Sequence, residues 1–308
     1  MENKLHISLS PHIRSNNSTM RTMLNVIIAL VPASIAAVIL FGIPALLVIA
    51  VCVISAVAGE ALFNLAVKKE QTVGDLSAVV TGLILALNLP ANIPLWQAAV
   101  GSLFAIIIVK GIFGGLGKNI VNPAIAARVF MLIAFGSMTA SVFPEGMDSV
   151  SGATPLADLA NDKTVDLMDL FLGKCGGALG ETCALALLIG GIYLIVRKVI
   201  TWHIPVAFIG TTFLFTLALE GGNVETTLAW VLSGGLILGA FFMATDYVTS
   251  PSTAKGKLIF GIGAGVITVL IRFFGGYPEG VSFAILLMNI VNPYIDSLTA
   301  RKLFGGKK

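Results

Sequence analysis

Long apolar segments separated by short polar ones recur along almost the whole chain, and they limit its fold more than any other feature of the sequence. A helix of about 20 apolar residues is long enough to cross the hydrocarbon core of a bilayer. The 308-residue sequence is 56% hydrophobic and only 11% charged, whereas about 25% of the residues of a soluble domain are charged. We therefore predict an all-α polytopic membrane protein embedded in the lipid bilayer. Its basic residues are scattered among the loops, so no nucleic-acid partner is predicted.

Windows of this length predict about ten transmembrane helices. The third is short and stops at Asn88-Leu89-Pro90, where we expect a broken or tilted helix. The predicted spans lie near residues 23–42, 45–67, 76–90, 95–112, 121–139, 181–197, 204–220, 227–245, 257–274 and 280–299.

The basic residues predict the orientation of these spans. When the N-terminus is placed in the cytoplasm, only Lys163, Lys174 and Arg272 of the 19 Lys and Arg residues fall outside. The others, among them Lys110 and Arg128, fall in inside segments or at inside helix ends, as the positive-inside rule requires. We therefore predict a multi-pass protein of the cytoplasmic (inner) membrane with both termini in the cytoplasm. Its predicted parts are an N-terminal segment at 1–22, membrane halves at 23–139 and 181–299, an outside loop at 140–180 and a C-terminal tail at 300–308.

A pentapeptide occurs twice and suggests an internal duplication. Asn-Ile-Val-Asn-Pro stands at residues 119–123 and again at 289–293, in the fifth and tenth predicted spans. Two halves of five spans each must have opposite orientations in the membrane, which is the architecture of many transporters. We therefore predict two inverted five-helix repeats.

The longest polar segment contains one hydroxyl in an unusual setting. Thr154 follows Ser151, Gly152 and Ala153, which have little side-chain bulk, and Asp148 lies shortly before them. Such a threonine on an exposed loop suits covalent modification by another enzyme, because a catalytic pocket can approach the backbone closely. The alternative is an ordinary surface turn. Farther along this acidic loop, Thr164 is predicted to cap a short surface helix.

Two acidic side chains within or near spans are candidates for a cation path or a polar cofactor contact, because charge in a bilayer is unfavourable without a role. They are Glu60 in the second span and Asp246 at the end of the eighth. The alternative for each is a helix-end or packing role. The three cysteines, Cys52, Cys175 and Cys183, are too few for an iron–sulfur cluster and do not have zinc-site spacing, so no metal site is predicted. Whether Cys175 and Cys183 pair stays open.

Several motifs together resemble one family. They are Ser-Gly-Ala-Thr at residues 151–154 after Asp148, Asn-Pro at 122–123, Arg-Val-Phe at 128–130, Thr-Asp-Tyr-Val-Thr-Ser-Pro at 245–251 and Gly-Gly-Tyr-Pro-Glu-Gly at 275–280. With these motifs the chain resembles the NqrB/RnfD family, which comprises the RnfD proteins of the Rnf electron-transport complexes and the related NqrB proteins of the sodium-pumping NADH:quinone reductase. The short segment before the first span favours the Rnf branch.

This resemblance implies a flavoprotein. In the family, the threonine of the Ser-Gly-Ala-Thr motif carries FMN through a phosphoester that a separate flavin transferase installs, and here only Thr154 matches that threonine. Asp148, Ser151, Gly152 and Ala153 would form the attachment motif. The resemblance also implies a urea-transporter-like fold, and some members bind a further, non-covalent riboflavin.

The resemblance further implies an electron relay without catalytic residues of its own beyond the flavin. Partner subunits, among them another flavin-carrying subunit and iron–sulfur subunits, would supply the ferredoxin and NAD chemistry. The complex would couple electron transfer to Na⁺ or H⁺ movement. Two alternatives are a stand-alone solute transporter or channel of the same inverted architecture, and a structural membrane anchor for soluble partners.

Overall fold

The computed structural model describes residues 18–136, 143–144, 154–161, 163–275 and 279–300. All regular structure in these ranges is helical, which confirms the predicted all-α class. The predicted cytoplasmic termini and Asp148, Ser151, Gly152 and Ala153 lie outside the described residues. The helices are α1 (Thr19–Ala66), α2 (Ser77–Leu87), α3 (Leu95–Leu103), α4 (Pro123–Ala134), α5 (Pro155–Leu159), α6 (Leu167–Leu172), α7 (Ala184–Val196), α8 (His203–Leu219), α9 (Val224–Leu232), α10 (Leu236–Leu238), α11 (Ala254–Phe274) and α12 (Val281–Thr299), with a 3-10 turn at Val73–Asp75 and π-helical segments at Phe104–Gly111 and Gly239–Met243.

The 48-residue α1 consists of two helical segments that meet at Gly42, whose φ of 66° is open to glycine without strain. A straight helix would separate Thr22 from Glu60 by about 57 Å. Instead, Thr22 lines a cavity together with Lys110, and Lys110 Nζ lies 2.7 Å from Glu60 Oε1. The chain therefore turns back at Gly42, in agreement with the first two predicted spans.

Several predicted spans are shorter as helices than a full crossing. Helices α2, α4 and α7 have 11, 12 and 13 residues, and 11 residues rise only about 16 Å against the roughly 30 Å of hydrocarbon. Among the described helices, three are long and apolar enough to cross a membrane, or four when one bent pair counts as a single span. The prediction that the third span is interrupted is supported, because α2 ends before Asn88.

The bent pair belongs to the eighth predicted span. Helices α9 and α10, with the π-helical segment that continues α10, differ in direction by 64°. The bend lies at Ser233-Gly234-Gly235, where Gly234 has a φ of +68°.

Large apolar side chains such as those of Ile39, Ile133 and Leu298 are exposed on the surface, as expected for a protein surrounded by lipid.

The helices pack closely through small residues. A Cβ atom on Gly261 of α11 would lie 2.7 Å from Ala207 Cβ in α8, and one on Gly265 would lie 2.8 Å from Thr211 Cβ. At Gly261 and Gly265 the absence of a side chain therefore allows α11 and α8 to approach closely.

The two pentapeptide copies occupy different settings. In the first, Asn122 caps α4 with its side chain and Pro123 begins that helix, whereas in the second Pro293 lies inside α12. The local backbone settings of the two copies therefore differ, and the predicted inverted repeat stays a prediction. The copies do lie in contact, because Asn289 accepts from Asn122 N at 3.1 Å and donates to Thr249 O at 3.2 Å in the amide orientation that satisfies both groups.

Candidate functional site

Thr154 is the only member of the predicted attachment motif that lies among the described residues. It caps the N-terminus of α5: its Oγ1 accepts from Ala157 N at 3.4 Å, and Pro155 occupies the first helical position. The side chain is partly exposed. The hydroxyl oxygen is thus held by the backbone at the surface of a short helix.

Helix α5 is attached to the membrane part through its apolar side. Leu156 and Leu159 are buried against Leu170, Ala229 and Trp230, which come from α6 and α9. Burial of two leucines contributes on the order of 3–5 kcal/mol, which is sufficient to hold a five-residue helix that could not form alone.

The neighbouring surface helix begins later than its predicted cap. Helix α6 begins at Leu167, and its cap is Asp166, whose carboxylate accepts from Met168 N at 2.8 Å. The prediction of Thr164 as the cap is therefore wrong, because a carboxylate one residue before the helix can reach its free N–H groups whereas Thr164 lies too far upstream.

The bend between α9 and α10 lies directly beneath α5. A Cβ atom on Gly234 would lie 2.6 Å from Leu156 Cδ1. Buried Arg272 donates to the carbonyl oxygen of Trp230 and, at 3.1 Å, to that of Ser233. A guanidinium therefore satisfies carbonyl groups that the interruption of the helix leaves without partners.

On the other side of this bend lies a buried group of charges that we call the outer cluster: Arg128, Asn88, Glu181 and Glu279. Arg128 Nη2 lies 2.9 Å from Glu181 Oε1 and also contacts Glu279, while Nη1 donates to the side chain of Asn88. A Cβ atom on Gly235 would lie within 4 Å of Glu181, Glu279 and Arg128. The outer cluster therefore touches the bend that supports the Thr154 helix.

The outer cluster corrects one sequence prediction. The positive-inside count places Arg128 at an inside helix end, but this side chain bonds to Glu181 and Glu279, which the same count places outside. Arg128 is the sixth residue of α4, about 7.5 Å from the helix start. Sequence counting could not detect this, because a basic residue near a predicted boundary counts as inside whatever its partner. Residues 276–278 of the motif that contains Glu279 lie outside the described residues.

A second group, the inner cluster, contains the buried side chains of Glu60, Lys110 and Ser77 and the exposed side chain of Thr72. Lys110 Nζ donates to Glu60 Oε1 at 2.7 Å and to Ser77 Oγ at 2.6 Å. Thr72 Oγ1 donates to the same Glu60 oxygen at 2.7 Å. Glu60 therefore has a buried partner that the sequence analysis did not single out. The apolar run around Lys110 could have revealed it, because a lysine within a span is as unfavourable as a carboxylate.

Asp246 lies beside a cavity of about 90 Å³, whose wall also includes Lys110, Asn119 and Asn122. Its carboxylate accepts from Thr249 Oγ1 at 3.0 Å and from Val248 N at 3.4 Å. These local bonds fit the helix-end alternative, and the cavity fits the cation-path prediction. Lys110 thus contacts one of the two predicted acids, Glu60, and lines the same cavity as the other, Asp246.

Cys175 in the loop and Cys183, shortly after it, are free thiols. Burial, followed by the negative charges of Glu181 and Asp169 and by Cys183, raises the pKa of Cys175 to about 12. Cys175 therefore stays protonated at neutral pH. Among the described residues, no three His, Cys, Asp or Glu side chains are grouped as metal ligands.

Comparison with known proteins adds a family to this geometry. Residues 6–305 match the model of the NQR2, RnfD, RnfE family. The chain is 50% identical over 313 residues to the D subunit of the Na⁺-translocating ferredoxin:NAD⁺ oxidoreductase complex of Acetobacterium woodii, with 100% of this chain and 97% of the relative covered.

Two further relatives differ in the ion that they are named for. The D subunit of the proton-translocating ferredoxin:NAD⁺ oxidoreductase complex of Clostridium ljungdahlii is 43% identical, over 100% of this chain and 98% of its own length. The D subunit of the ion-translocating oxidoreductase complex of Escherichia coli K12 is 36% identical, over 98% and 99%.

Proposed function

Because the chain belongs to the NQR2, RnfD, RnfE family, we propose that it is a membrane flavoprotein subunit of an Rnf-type complex, with FMN joined to Thr154. The complex transfers electrons between ferredoxin and NAD and moves Na⁺ or H⁺ across the cytoplasmic membrane. The names of the relatives support this role. The observation that carries the cofactor assignment is the setting of the Thr154 hydroxyl.

The Thr154 hydroxyl fits a phosphoester. Its oxygen acts as an acceptor in the cap of α5, and that role needs no hydroxyl proton. Esterification by a flavin transferase would remove the proton and keep the oxygen, so the cap could persist after modification. The partly exposed position of the side chain leaves room for a bulky group on the outer side of the helix.

The bound FMN would supply one- and two-electron transfer. The chain's own contribution is placement: Leu156 and Leu159 hold α5 against α9, and α9 is tied through Arg272 to the membrane part. Other subunits, including another flavin carrier and iron–sulfur proteins, would provide the ferredoxin and NAD sites. A further non-covalent riboflavin belongs to the proposal without assigned residues.

The test replaces the threonine hydroxyl to which FMN would be joined. Thr154→Val keeps the shape of the side chain and removes the hydroxyl, so the purified protein should lose the flavin fluorescence of its band on a denaturing gel and the mass of the FMN group. Thr154→Ser is the matched control, because it keeps both the hydroxyl that FMN would esterify and the cap of α5. Covalent flavin on the Val variant would refute the assignment of Thr154.

A further inference from the structure

The inner cluster has one carboxylate oxygen without a partner. Glu60 is only 5% exposed, and its Oε1 already accepts from Lys110 and Thr72. Its Oε2 is buried and accepts no hydrogen bond from the described residues. A buried carboxylate oxygen normally has a donor or a cation beside it.

The space beside Glu60 is large enough for such a ligand. A cavity of about 470 Å³, here called the entry cavity, is lined by Glu60, Asn64, Thr72 and Lys110 together with Lys69, Glu70 and Asp75. These lining groups offer mainly oxygen ligands, which hard cations prefer. The predicted orientation places this cavity on the cytoplasmic side.

Lys110 lies in the wall between the entry cavity and the cavity of Asp246. Both cavities include Lys110 among their lining residues. Ser77, the second partner of Lys110, faces the Asp246 cavity. Because a lysine ammonium is a compact charge on a flexible stem with three donors, Lys110 can exchange partners without movement of the main chain.

The charges of the two cavities favour uptake of a cation. The acidic lining residues are Glu60, Glu70, Asp75 and Asp246, and the basic ones are Lys69 and Lys110. Acids exceed bases by two. Lys110 is paired with Glu60 and shares a cavity wall with Asp246, and it can neutralise only one of these two acids at a time.

The geometry points to Lys110 as the switching residue of a cytoplasmic site for one monovalent cation, Na⁺ or a proton, at Glu60. This inference rests on the proposed function of the complex. When the cation binds Glu60, the ammonium leaves that carboxylate and moves toward Asp246, so that each acid then has one positive partner. When the ammonium returns to Glu60, the cation is displaced toward the rest of its path. Lys110 lies in a π-helical segment, a distortion frequent at functional sites.

The first experiment uses Lys110→Met in the complete complex. Without the competing ammonium, Glu60 becomes a permanent cation site. If the cation is Na⁺, the affinity of the purified complex for ²²Na⁺ should rise at least tenfold. If the cation is a proton, its affinity, measured in a pH titration at fixed Na⁺, should rise by the same factor. In vesicles, the number of ions moved per electron should fall at least fivefold. Lys118→Met is the matched control, because Lys118 is an exposed lysine that lines neither cavity. An unchanged cation affinity and an unchanged ratio in an assembled Lys110→Met complex would overturn the inference.

A double variant separates a switch from a structural ion pair. Glu60→Gln combined with Lys110→Met removes both charges, which avoids an unpaired buried ion. A purely structural pair predicts that the double variant regains assembly and ion transport together. A switch predicts that it regains assembly but neither binds the cation at this site nor transports it, and regained transport would therefore refute the switch.

Failure of the proposed function is detected separately. Fluorescence of the wild-type protein on a denaturing gel reports the flavin and does not depend on Lys110. Equilibrium cation binding does not depend on the flavin. Absence of both Na⁺-specific binding and cation-linked proton uptake in the wild-type complex would reject the site while leaving the flavin proposal intact.

Discussion

The outer and inner clusters each bury one basic side chain, yet they differ in how completely that charge is satisfied. The Arg128 and Lys110 side chains are 6% and 4% exposed. Arg128 uses a planar guanidinium to contact Asn88, Glu181 and Glu279 directly. Lys110 holds one oxygen of Glu60, leaves the other without a donor among the described residues and adjoins two cavities.

This difference teaches which buried charge stabilises the fold and which can change partners. A guanidinium has five donors in a rigid fork, so it fixes the positions of several elements at once. An ammonium is a point charge on a flexible side chain, so it can turn toward a different partner. We therefore expect changes in the outer cluster to act mainly on stability, and changes in the inner cluster to act mainly on ion movement.

The largest effect should come from Arg128→Met. The substitution leaves Glu181 and Glu279 without their buried partner, and the loss of one member of a buried pair costs about 3–5 kcal/mol. We expect poor assembly and a marked drop in the unfolding temperature in detergent, measured on the purified protein. Arg128→Lys should lower the unfolding temperature less, because it keeps the positive charge. A fully stable Met variant would contradict the structural role of the outer cluster.

A smaller loss of stability is expected when the packing that holds helix α5 in place is weakened. Leu156→Ala creates a cavity against Trp230 and Gly234 and should destabilise the docking of α5 by about 2–4 kcal/mol. Covalent flavin should remain, whereas limited proteolysis near α5 should become faster. Met168→Ala is the matched control, because Met168 is 63% exposed. Equal proteolysis rates for the two variants would show that Leu156 does not anchor the helix.

Asp246→Asn should separate coupling from assembly. The amide keeps the shape and can still accept from Thr249, so stability should change by less than about 1 kcal/mol. Ion uptake per electron in vesicles should fall at least fivefold with the flavin on Thr154 intact. If the assembled variant keeps the normal ratio, Asp246 does not take part in coupling, and a joint loss of assembly and both activities would favour the helix-end role.

The smallest effect concerns the thiol of Cys175 in the loop, and its labelling rate reports how strongly this thiol stays protonated. An impermeant maleimide should leave Cys175 unlabelled near pH 7.5, because its pKa of about 12 keeps the thiol protonated. The labelling rate should rise about tenfold per pH unit above this.

Asp162→Cys should react rapidly in intact cells, since residue 162 is predicted to be outside. Labelling of this variant only after permeabilisation would reverse the predicted orientation and move the flavin to the cytoplasmic side.

Local patterns were sufficient for several features. The apolar runs predicted an all-α membrane protein, and the stop at Asn88 predicted the short third helix. The predictions at Thr164 and Arg128 were wrong, because a cap and a charge partner depend on where the chain lies in space. The pentapeptide marks a contact between the halves, and the inverted repeat stays a prediction.

By itself, the sequence determined that this protein is surrounded by lipid and that it carries the motifs of its family, because these depend on composition and on residues adjacent in the chain. Only the tertiary structure decided that Lys110 joins Glu60 and adjoins the cavity of Asp246. Those residues are separated by 50 or more positions along the chain. Pairing of buried charges is governed by distance and desolvation in three dimensions, to which spacing in the sequence offers no guide.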